Sequence, residues 1–411
     1  MGIIAEQVDI VKNFSRDVKL FTIGRMIGSF GSGMASVVFN LFFIALGYTK
    51  DMLGLYLSTS TFAMAFIALI AGGIASRFSA KTIIISSSSI NAISLFLQYM
   101  FPIPVVLFSG NLIIGISSSF AGVASSPYIT EVSVKENRDH VFSYIRAASV
   151  GAVFVGNLLG GFMPYFFGNI LLIPPNSWQA YQATLLFSQI FIFSALIPLS
   201  RLRRIQPAVN KESLFEQFTF KNITHKGFII KYGIPVWLVG LGAGLFVRFM
   251  NVWFKDVFAA ETYVIGMLFS ANTLFLTIGF LLAPIISKRI GKIHTIVYSQ
   301  ALSIPMMIGL GLAPTIQIAA IFFVSRATLM NMVHPVSTSF FMETINREER
   351  EMANGIVNSG DSLVRGIAAT IGGWMMSQNM YREQFFIASI LYVLSISTFY
   401  SFFRKYEEKE S

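Results

Sequence analysis

The stretch EVSVKENRD at Glu131–Asp139 recurs as ETINREERE at Glu343–Glu351, 212 residues later in the chain. Five charged positions agree in sign between the two stretches. The same offset relates Gly54 to Gly266, Arg77 to Arg289, and the pair Gly160–Gly161 to Gly372–Gly373. The chain therefore contains two copies of one unit of about 200 residues, which is typical of a duplicated helical bundle.

Composition places this repeat in a membrane. Hydrophobic residues make up 54% of the chain and charged residues only 12%, with a mean hydropathy of +0.67. Uncharged runs such as 52–76 and 82–129 exceed the roughly 20 residues that cross a bilayer as a helix. Backbone polar groups need internal partners in hydrocarbon, so these runs are helices. The chain has no cysteine, and we expect no metal site and no cofactor.

Charged and Pro/Gly-rich breaks divide the sequence into twelve predicted membrane helices. Their approximate ranges are 19–46, 52–76, 82–100, 104–129, 141–166, 178–200, 231–254, 262–287, 293–312, 316–341, 352–377 and 383–403. We therefore predict an all-α membrane protein with two pseudo-symmetric six-helix bundles. The first bundle is residues 1–200, the linker is residues 201–230, and the second bundle with its tail is residues 231–411.

Basic residues predict the orientation of the helices. When both termini are cytoplasmic, 22 of the 30 Lys and Arg lie on the cytoplasmic side and only Lys50, Lys255 and Arg382 lie outside. We therefore predict a multi-pass plasma-membrane protein, and we expect a monomer. The net charge of +10 is explained by anionic lipid headgroups and requires no nucleic-acid partner.

The whole chain resembles the major facilitator superfamily. The resemblance rests on two six-helix halves, a basic linker, and charged loops after the second and eighth helices. The family's loop motif, Gly-x-x-x-Asp-Arg-x-Gly-Arg-Lys, is similar to GGIASRFSAK at 72–81 and PIISKRIGKI at 284–293, both without the Asp. The resemblance implies a secondary active transporter that works by alternating access, and not an enzyme. No nucleotide-binding loop is present in the sequence, so ATP is not the direct driver.

The resemblance also implies a cytoplasmic gate built from the repeated charged loops. Glu131 and Glu343 lie where the fourth and tenth helices end, and Arg138 and Arg350 precede the fifth and eleventh. Opposite charges at such junctions can pair when one side closes and separate when it opens. The alternative is that they only cap helices. We also assign two arginines of the loop motifs to this gate, Arg77 and Arg289.

Charges within the predicted helices indicate where a substrate binds, because an ionised side chain at the bilayer centre costs at least about 2.5 to 3.5 kcal/mol. Arg326 lies near mid-depth of the tenth helix and Arg248 in the outer half of the seventh. Gly244, Arg248 and Asn251 share one helical face, and Asn40 is the repeat counterpart of Asn251. The resemblance implies a central cavity that binds a small substrate. We predict that the substrate contacts Arg248, Arg326, Asn251 and Asn40 there.

Asp361 and Arg365 lie four residues apart in the eleventh helix, so they can form an ion pair. They are either a self-neutralising structural pair or a site of proton coupling. If they cancel, Arg248 and Arg326 favour an anionic substrate.

A histidine and two more arginines also lie in the predicted helices. His334, beside Pro335, is a further substrate-binding candidate because it can titrate near neutral pH, although a packing role is the alternative. Arg25 and Arg146 lie near cytoplasmic helix ends, where we expect them to reach lipid headgroups.

These residues predict gradient-driven uniport or exchange of a small anionic or polar organic solute. One alternative is proton-coupled efflux of amphipathic compounds, because 41 Phe and 18 Met supply material for an adaptable apolar cavity. Another is a non-transporting membrane receptor that keeps the carrier fold and signals through the linker.

Overall fold

The computed structural model describes residues 14–75, 77–205, 226–346 and 349–407, and over these residues the fold is all-helical, as predicted. The first half contains α1 (Arg16–Ala45), α2 (Lys50–Ala75), α3 (Ala80–Met100), α4 (Pro104–Val132), α5 (Arg138–Leu171), α6 (Trp178–Ser194) and α7 (Leu196–Ser200). The second half contains α8 (Lys226–Phe246), α9 (Met250–Phe258), α10 (Thr262–Ile290), α11 (Lys292–Leu312), α12 (Ile316–Asn331), α13 (His334–Thr344), α14 (Arg350–Ser377) and α15 (Tyr381–Glu407).

Within the described ranges these fifteen helices correspond to the twelve predicted spans, because three of the spans are each divided into two helices. The sixth span is α6 with α7, the seventh is α8 with α9, and the tenth is α12 with α13. Eleven of the spans are long and apolar enough to cross a membrane. The remaining one, α14, has 28 residues and a length of about 42 Å, but it carries too many polar side chains to meet the same standard.

Local chemistry sets several helix starts. The Ser79 side chain accepts a hydrogen bond from the backbone N–H of Thr82 at the start of α3, at 3.2 Å. Ser177 does the same for Ala180 at the start of α6, at 3.3 Å. Such caps satisfy backbone donors that have no partner in the first turn. Pro104 begins α4, where its missing N–H has no cost.

The helices pack as two compact units. Unit 1 is Met1–Phe39 with Ile70–Gln217, and unit 2 is Asn40–Leu69 with Phe218–Ser411. Unit 2 therefore includes the end of α1 and most of α2. The predicted division at residues 200 and 231 describes the sequence repeat, whereas this division describes which helices pack together in the structure.

Each unit contains a core of buried side chains at corresponding positions of the repeat. In unit 1 these are Val18, Phe21, Ile84, Tyr128, Ile129, Val141 and Ile145. In unit 2 the residues 211 or 212 positions later are buried, namely Ile229, Tyr232, Ile296, Phe340, Phe341, Ala353 and Val357. The repeat seen in the loop charges therefore extends to the packed interior of both copies.

The start of the predicted linker is attached to unit 1. The backbone N–H of Arg203 donates to Asp17 Oδ1 at 2.6 Å, and the hydroxyl of the buried Tyr128 donates to the same oxygen at 3.1 Å. One carboxylate thus joins the beginning of α1, the end of α4 and the chain after α7. Residues 206–225 of the linker lie outside the described residues.

Close backbone contact between α1 and α5 requires glycine at one face of α5. A Cβ added at Gly160 would lie 2.5 Å from the carbonyl oxygen of Met34, whereas nothing lies within 4 Å of a Cβ added at Gly151 on the same helix. These two glycines of α5 therefore differ in their role.

We predict that Gly160→Ala destabilises the protein by about 1 to 3 kcal/mol, because the added methyl group overpacks a backbone contact. Thermal unfolding of the purified protein measures the effect. Gly151→Ala is the matched control and is expected to leave the melting temperature unchanged or slightly raised. Equal melting temperatures for the two variants would contradict this account of the α1–α5 contact.

Candidate functional site

One face of α14, a helix of the second copy, carries a row of polar side chains that we call the polar stripe. Asn354, Asn358, Asp361 and Arg365 recur at intervals of four, three and four residues, so they share a face. The Asn358 amide donates to Asn354 Oδ1 at 3.0 Å, and Arg365 Nε donates to Asp361 Oδ2 at 2.6 Å. Because hydrocarbon solvates neither amides nor charges, this stripe faces water or protein and not lipid.

The predicted pair of Asp361 and Arg365 is formed. Their side chains retain 22% and 34% of their exposure, so the pair is reachable from outside the packed core. The other carboxylate oxygen, Asp361 Oδ1, is buried and accepts no hydrogen bond. It lies against Gly240 of α8, where an added Cβ would overlap it. Glycine at position 240 thus lets α8 approach the carboxylate.

Arg248 lies in the 3₁₀ turn Val247–Phe249 that separates α8 from α9. Its Nη1 donates to the carbonyl of Leu57 at 2.8 Å and to the hydroxyl of Thr61 at 2.6 Å, both on α2. The turn interrupts the single helical face that the sequence predicted through Gly244, Arg248 and Asn251. Gly244 instead packs against the backbone of Arg365.

The two asparagines related by the repeat contact each other. Asn40 Nδ2 donates to Asn251 Oδ1 at 2.9 Å and to the carbonyl of Arg248 at 2.6 Å. Only 8% of Asn40 and 1% of Asn251 are exposed. In this structure the pair therefore holds the break between α8 and α9 in place and offers little surface to a solute.

Arg248, Asp361 and Arg365 form what we call the charge cluster. The charge of Arg248 interacts with those of both Arg365 and Asp361, and the Arg248 side chain is exposed. The cluster holds two guanidinium groups and one carboxylate, so its formal charge is positive. An anionic group would complete its charge balance.

Arg326 is enclosed and lacks an acidic partner in the described residues. Only 3% of it is exposed. Its Nη2 donates to the Tyr392 hydroxyl at 2.7 Å, and its guanidinium lies 4.8 Å from the ring centroid of Phe246 and 5.8 Å from that of Tyr392. Phe246 is the last residue of α8, so this cation–π contact braces the turn that carries Arg248. A direct role of Arg326 in binding stays a prediction.

His334 is exposed at the start of α13, just after the break in the tenth span. Its neighbours Val333 and Val336 are buried in the core of unit 2. The Thr338 hydroxyl donates to the His334 carbonyl at 2.9 Å. The sequence placed His334 inside a continuous helix, whereas the structure places it at a helix start.

Two predicted gate residues of the second copy, Glu343 and Arg350, contact other groups and not each other in the described residues. Glu343 pairs with Lys292 at the start of α11 and accepts a hydrogen bond from Ser339. Arg350 donates to the carbonyl of Ile345 at 3.2 Å. The repeat counterpart of Lys292 is Ala80, so this position carries no charge in the first copy.

The four remaining gate candidates are exposed or half-buried. Arg77, Glu131 and Arg289 are exposed, and Arg138 is half-buried at the start of α5. Arg347 and Glu348 of the second repeated stretch lie outside the described residues. The structure thus places all six predicted gate residues at helix junctions and leaves their gating role a prediction.

A further ionic group, which sequence reasoning missed, lies at the predicted outer ends of three helices. Lys50 Nζ lies 2.7 Å from Asp256 Oδ2 and donates to the Tyr381 hydroxyl at 2.6 Å. That hydroxyl donates to Asp256 at 2.8 Å. We call Lys50, Asp256 and Tyr381 the outer network. The signal was present in the sequence, because Lys50 is one of only three basic residues predicted outside.

The outer network joins α2 to α9 and α15 within unit 2. One turn further along α2, Gly54 meets Gly373 of α14, and a Cβ on either glycine would lie under 3 Å from the other helix. Within the described ranges, no three His, Asp or Glu side chains lie close enough together to share a metal ion.

Comparison with known proteins agrees with this architecture. The sequence profile described as the Major Facilitator Superfamily matches residues 21–332 and 236–411. No curated protein matches the chain in sequence.

Solved structures of transporters share the fold. The nucleoside transporter NupG is 15% identical, with a TM-score of 0.73, over 95% of this chain and 98% of its own. A bacterial homologue of the human lysosomal transporter Spinster, inward-facing and occupied, is 13% identical, with a TM-score of 0.75, over 93% and 95%. The human organic anion transporter MFSD10 is 14% identical, with a TM-score of 0.66, over 93% and 99%.

The profile match covers most of the chain, and the helices, the internal repeat and the solved structures agree with it. The chain belongs to the Major Facilitator Superfamily of membrane transporters.

Proposed function

We propose that this protein moves a small anionic organic solute across the plasma membrane by alternating access, as a uniporter or an exchanger. The observation that carries the proposal is the charge cluster. Arg365 pairs with Asp361 on the polar stripe of α14, and the charge of a second guanidinium group, Arg248, interacts with the charges of both. Such charges are costly in a membrane and are typical of substrate sites.

The geometry of the cluster leaves donors for a ligand. Each guanidinium has five N–H groups. Arg248 uses Nη1 for Leu57 and Thr61, and Arg365 uses Nε for Asp361. The remaining donors suit a carboxylate or phosphate group, which arginine binds through two parallel hydrogen bonds. One similar structure is that of an organic anion transporter, which supports the same class of solute.

The outer network supports a mechanism of alternating access. Lys50, Asp256 and Tyr381 bring together helix ends that we predict to lie outside, and they remain partly exposed. An exposed ion pair contributes only about 0 to 1 kcal/mol. Such a network biases two conformations of similar energy and does not lock either one, as a gate requires.

Proton-coupled transport is the second candidate, favoured by one observation. Asp361 Oδ1 is buried against Gly240 without a hydrogen-bond partner. A buried, unpartnered carboxylate oxygen is a place where a proton can bind during the transport cycle. In this candidate the proton neutralises Asp361 and releases Arg365 to the solute.

We predict that organic anions raise the melting temperature of the purified parent protein and that Arg365→Gln and Arg248→Gln lose this effect. Removal of one charged hydrogen-bonding partner should weaken binding by about tenfold or more. Arg204→Gln, at an exposed arginine outside the cluster, is the matched control. If every anion that stabilises the parent stabilises both cluster variants equally, the proposed site is wrong.

We predict that Lys50→Gln increases exposure of the outer side. The chain has no cysteine, so Ser58→Cys, at a site 3% exposed on α2, gives a single reactive thiol. Labelling by a membrane-impermeant maleimide should accelerate by up to about fivefold when the outer network is broken. Arg382→Gln is the control at a nearby outer arginine. Equal labelling rates in all three backgrounds would show that the network does not hold the outer side closed.

For proton coupling, the comparison is between the parent and Asp361→Asn in proteoliposomes with an imposed pH gradient. If Asp361 carries the proton, the gradient should drive uptake in the parent and have no effect in the variant, because an amide does not titrate. Uptake that depends on the gradient to the same degree in both proteins would remove Asp361 as the proton carrier.

A further inference from the structure

Arg326 is a buried cation in unit 2 whose charge no carboxylate balances. Only 3% of it is exposed, and in the described part of the chain it forms no ion pair. Its Nη2 donates to the Tyr392 hydroxyl at 2.7 Å, and its Nε has no hydrogen-bond partner. A buried charge is costly unless neighbouring groups compensate it. The groups around Arg326 therefore have to supply that compensation.

Two aromatic rings and a helix end surround this guanidinium. Its central carbon lies 4.8 Å from the ring centroid of Phe246 and 5.8 Å from that of Tyr392, and both rings are buried. Cation–π attraction is strongest where water is excluded, as it is here. Phe246 is also the last residue of α8, and the carbonyl groups at a helix C-terminus carry partial negative charge. The end of α8 and the face of its last ring thus both attract Arg326.

The end of α8 is the break that carries Arg248. Phe246 has φ −135° and ψ −30°, outside the α-helical region, and the 3₁₀ turn Val247–Phe249 follows it. Asn40 holds this turn from one side, because its Nδ2 donates to the carbonyl of Arg248 at 2.6 Å. Arg326 holds the residue before the turn through the ring of Phe246. The direction in which Arg248 leaves α8 therefore depends on both contacts.

The first copy of the repeat provides an internal comparison for this contact. The position 212 residues before Arg326 is Ile114, and the positions 211 and 212 residues before Phe246 are Ala35 and Met34. Neither a cation nor an aromatic ring stands there. The corresponding helix, α1, continues without a break from Arg16 to Ala45. The cation, the ring and the break therefore occur together in one copy and are absent together from the described residues of the other.

We propose that Arg326 is a positioning residue for Arg248, which it holds at the charge cluster through its cation–π contact with Phe246. This role rests on the proposed function, because it concerns how the cluster binds an anionic solute. Arg326 is enclosed, so a solute does not reach its guanidinium in this structure, whereas the Arg248 side chain is exposed. Arg326 thus acts on the solute through Phe246 and the turn, and not by direct contact.

Fluorine on the ring of Phe246 tests this role. Ring fluorines withdraw electrons from the face of the ring and weaken a cation–π contact, with almost no change in volume. Phenylalanine with one, two or three ring fluorines is introduced at position 246 of the full chain in nanodiscs. Calorimetry then measures binding of succinate and glycerol 3-phosphate as probes. We expect the affinity to fall with each added fluorine, by about tenfold when three are present.

The same series at Phe323 is the matched control. Phe323 is a buried ring one turn before Arg326 that packs against Phe254 and Phe269, so its fluorination should leave the affinity unchanged. Arg326→Lys keeps a cation and should bind the probes more tightly than Arg326→Gln. Affinity that does not respond to fluorine at Phe246 overturns the proposal. If Arg326→Gln nevertheless loses binding, Arg326 contacts the solute directly.

Hydrogen–deuterium exchange without any solute separates the role of Arg326 from the proposed function. We expect the backbone amides of residues 247–252 to exchange about threefold to tenfold faster in Arg326→Gln than in the parent, because the turn loses a contact that fixes it. The amides of residues 228–234, at the other end of α8, should be unchanged. Unchanged exchange at 247–252 would overturn the proposal. Faster exchange there in a protein that binds neither probe would support the hold on the turn and count against the proposed function.

Discussion

The rest of this structure depends on the cost of placing an ionised side chain in hydrocarbon, at least about 2.5 to 3.5 kcal/mol on insertion scales. Three arginines in the membrane spans of unit 2 reduce this cost through different contacts. Arg248 donates to α2, Arg365 pairs with Asp361, and Arg326 lies between aromatic rings. These solutions determine which faces of the helices are polar. They also require the turn after Phe246 and the close approach at Gly240.

The two copies share the positions of their buried core residues, whereas their polar and charged residues differ. The buried positions of the two cores correspond across the repeat, and the order of the membrane spans corresponds as well. The polar surfaces do not. The positions of the first copy that correspond to Lys292, Asp361 and Arg365 carry no charge, whereas Arg25 and Arg146 lie on its exposed surfaces. Packing constrains the core of each copy alike, whereas the surfaces that face water were free to specialise.

Much of the fold could be predicted from the sequence, because the length and polarity of a membrane helix follow directly from the bilayer. The Asp361–Arg365 pair was also predictable, since both residues lie on one helix. Contacts between helices were not. The binding of Arg248 to α2, the enclosure of Arg326 and the pairing of Glu343 with Lys292 each join residues more than 50 positions apart or in separate helices. The break in the seventh span, at residues 247–249, contains no proline from which it could have been predicted.

We propose that the chain carries an anionic solute through the site that Arg248 and Arg365 define. Counterflow in proteoliposomes tests it most directly, because exchange of labelled for unlabelled solute requires a carrier and no external energy source. We predict that liposomes loaded with an organic anion accumulate the labelled form when they contain the parent protein and not when they contain Arg365→Gln. Exchange of neutral sugars or nucleosides, with no exchange of any anion, would contradict it.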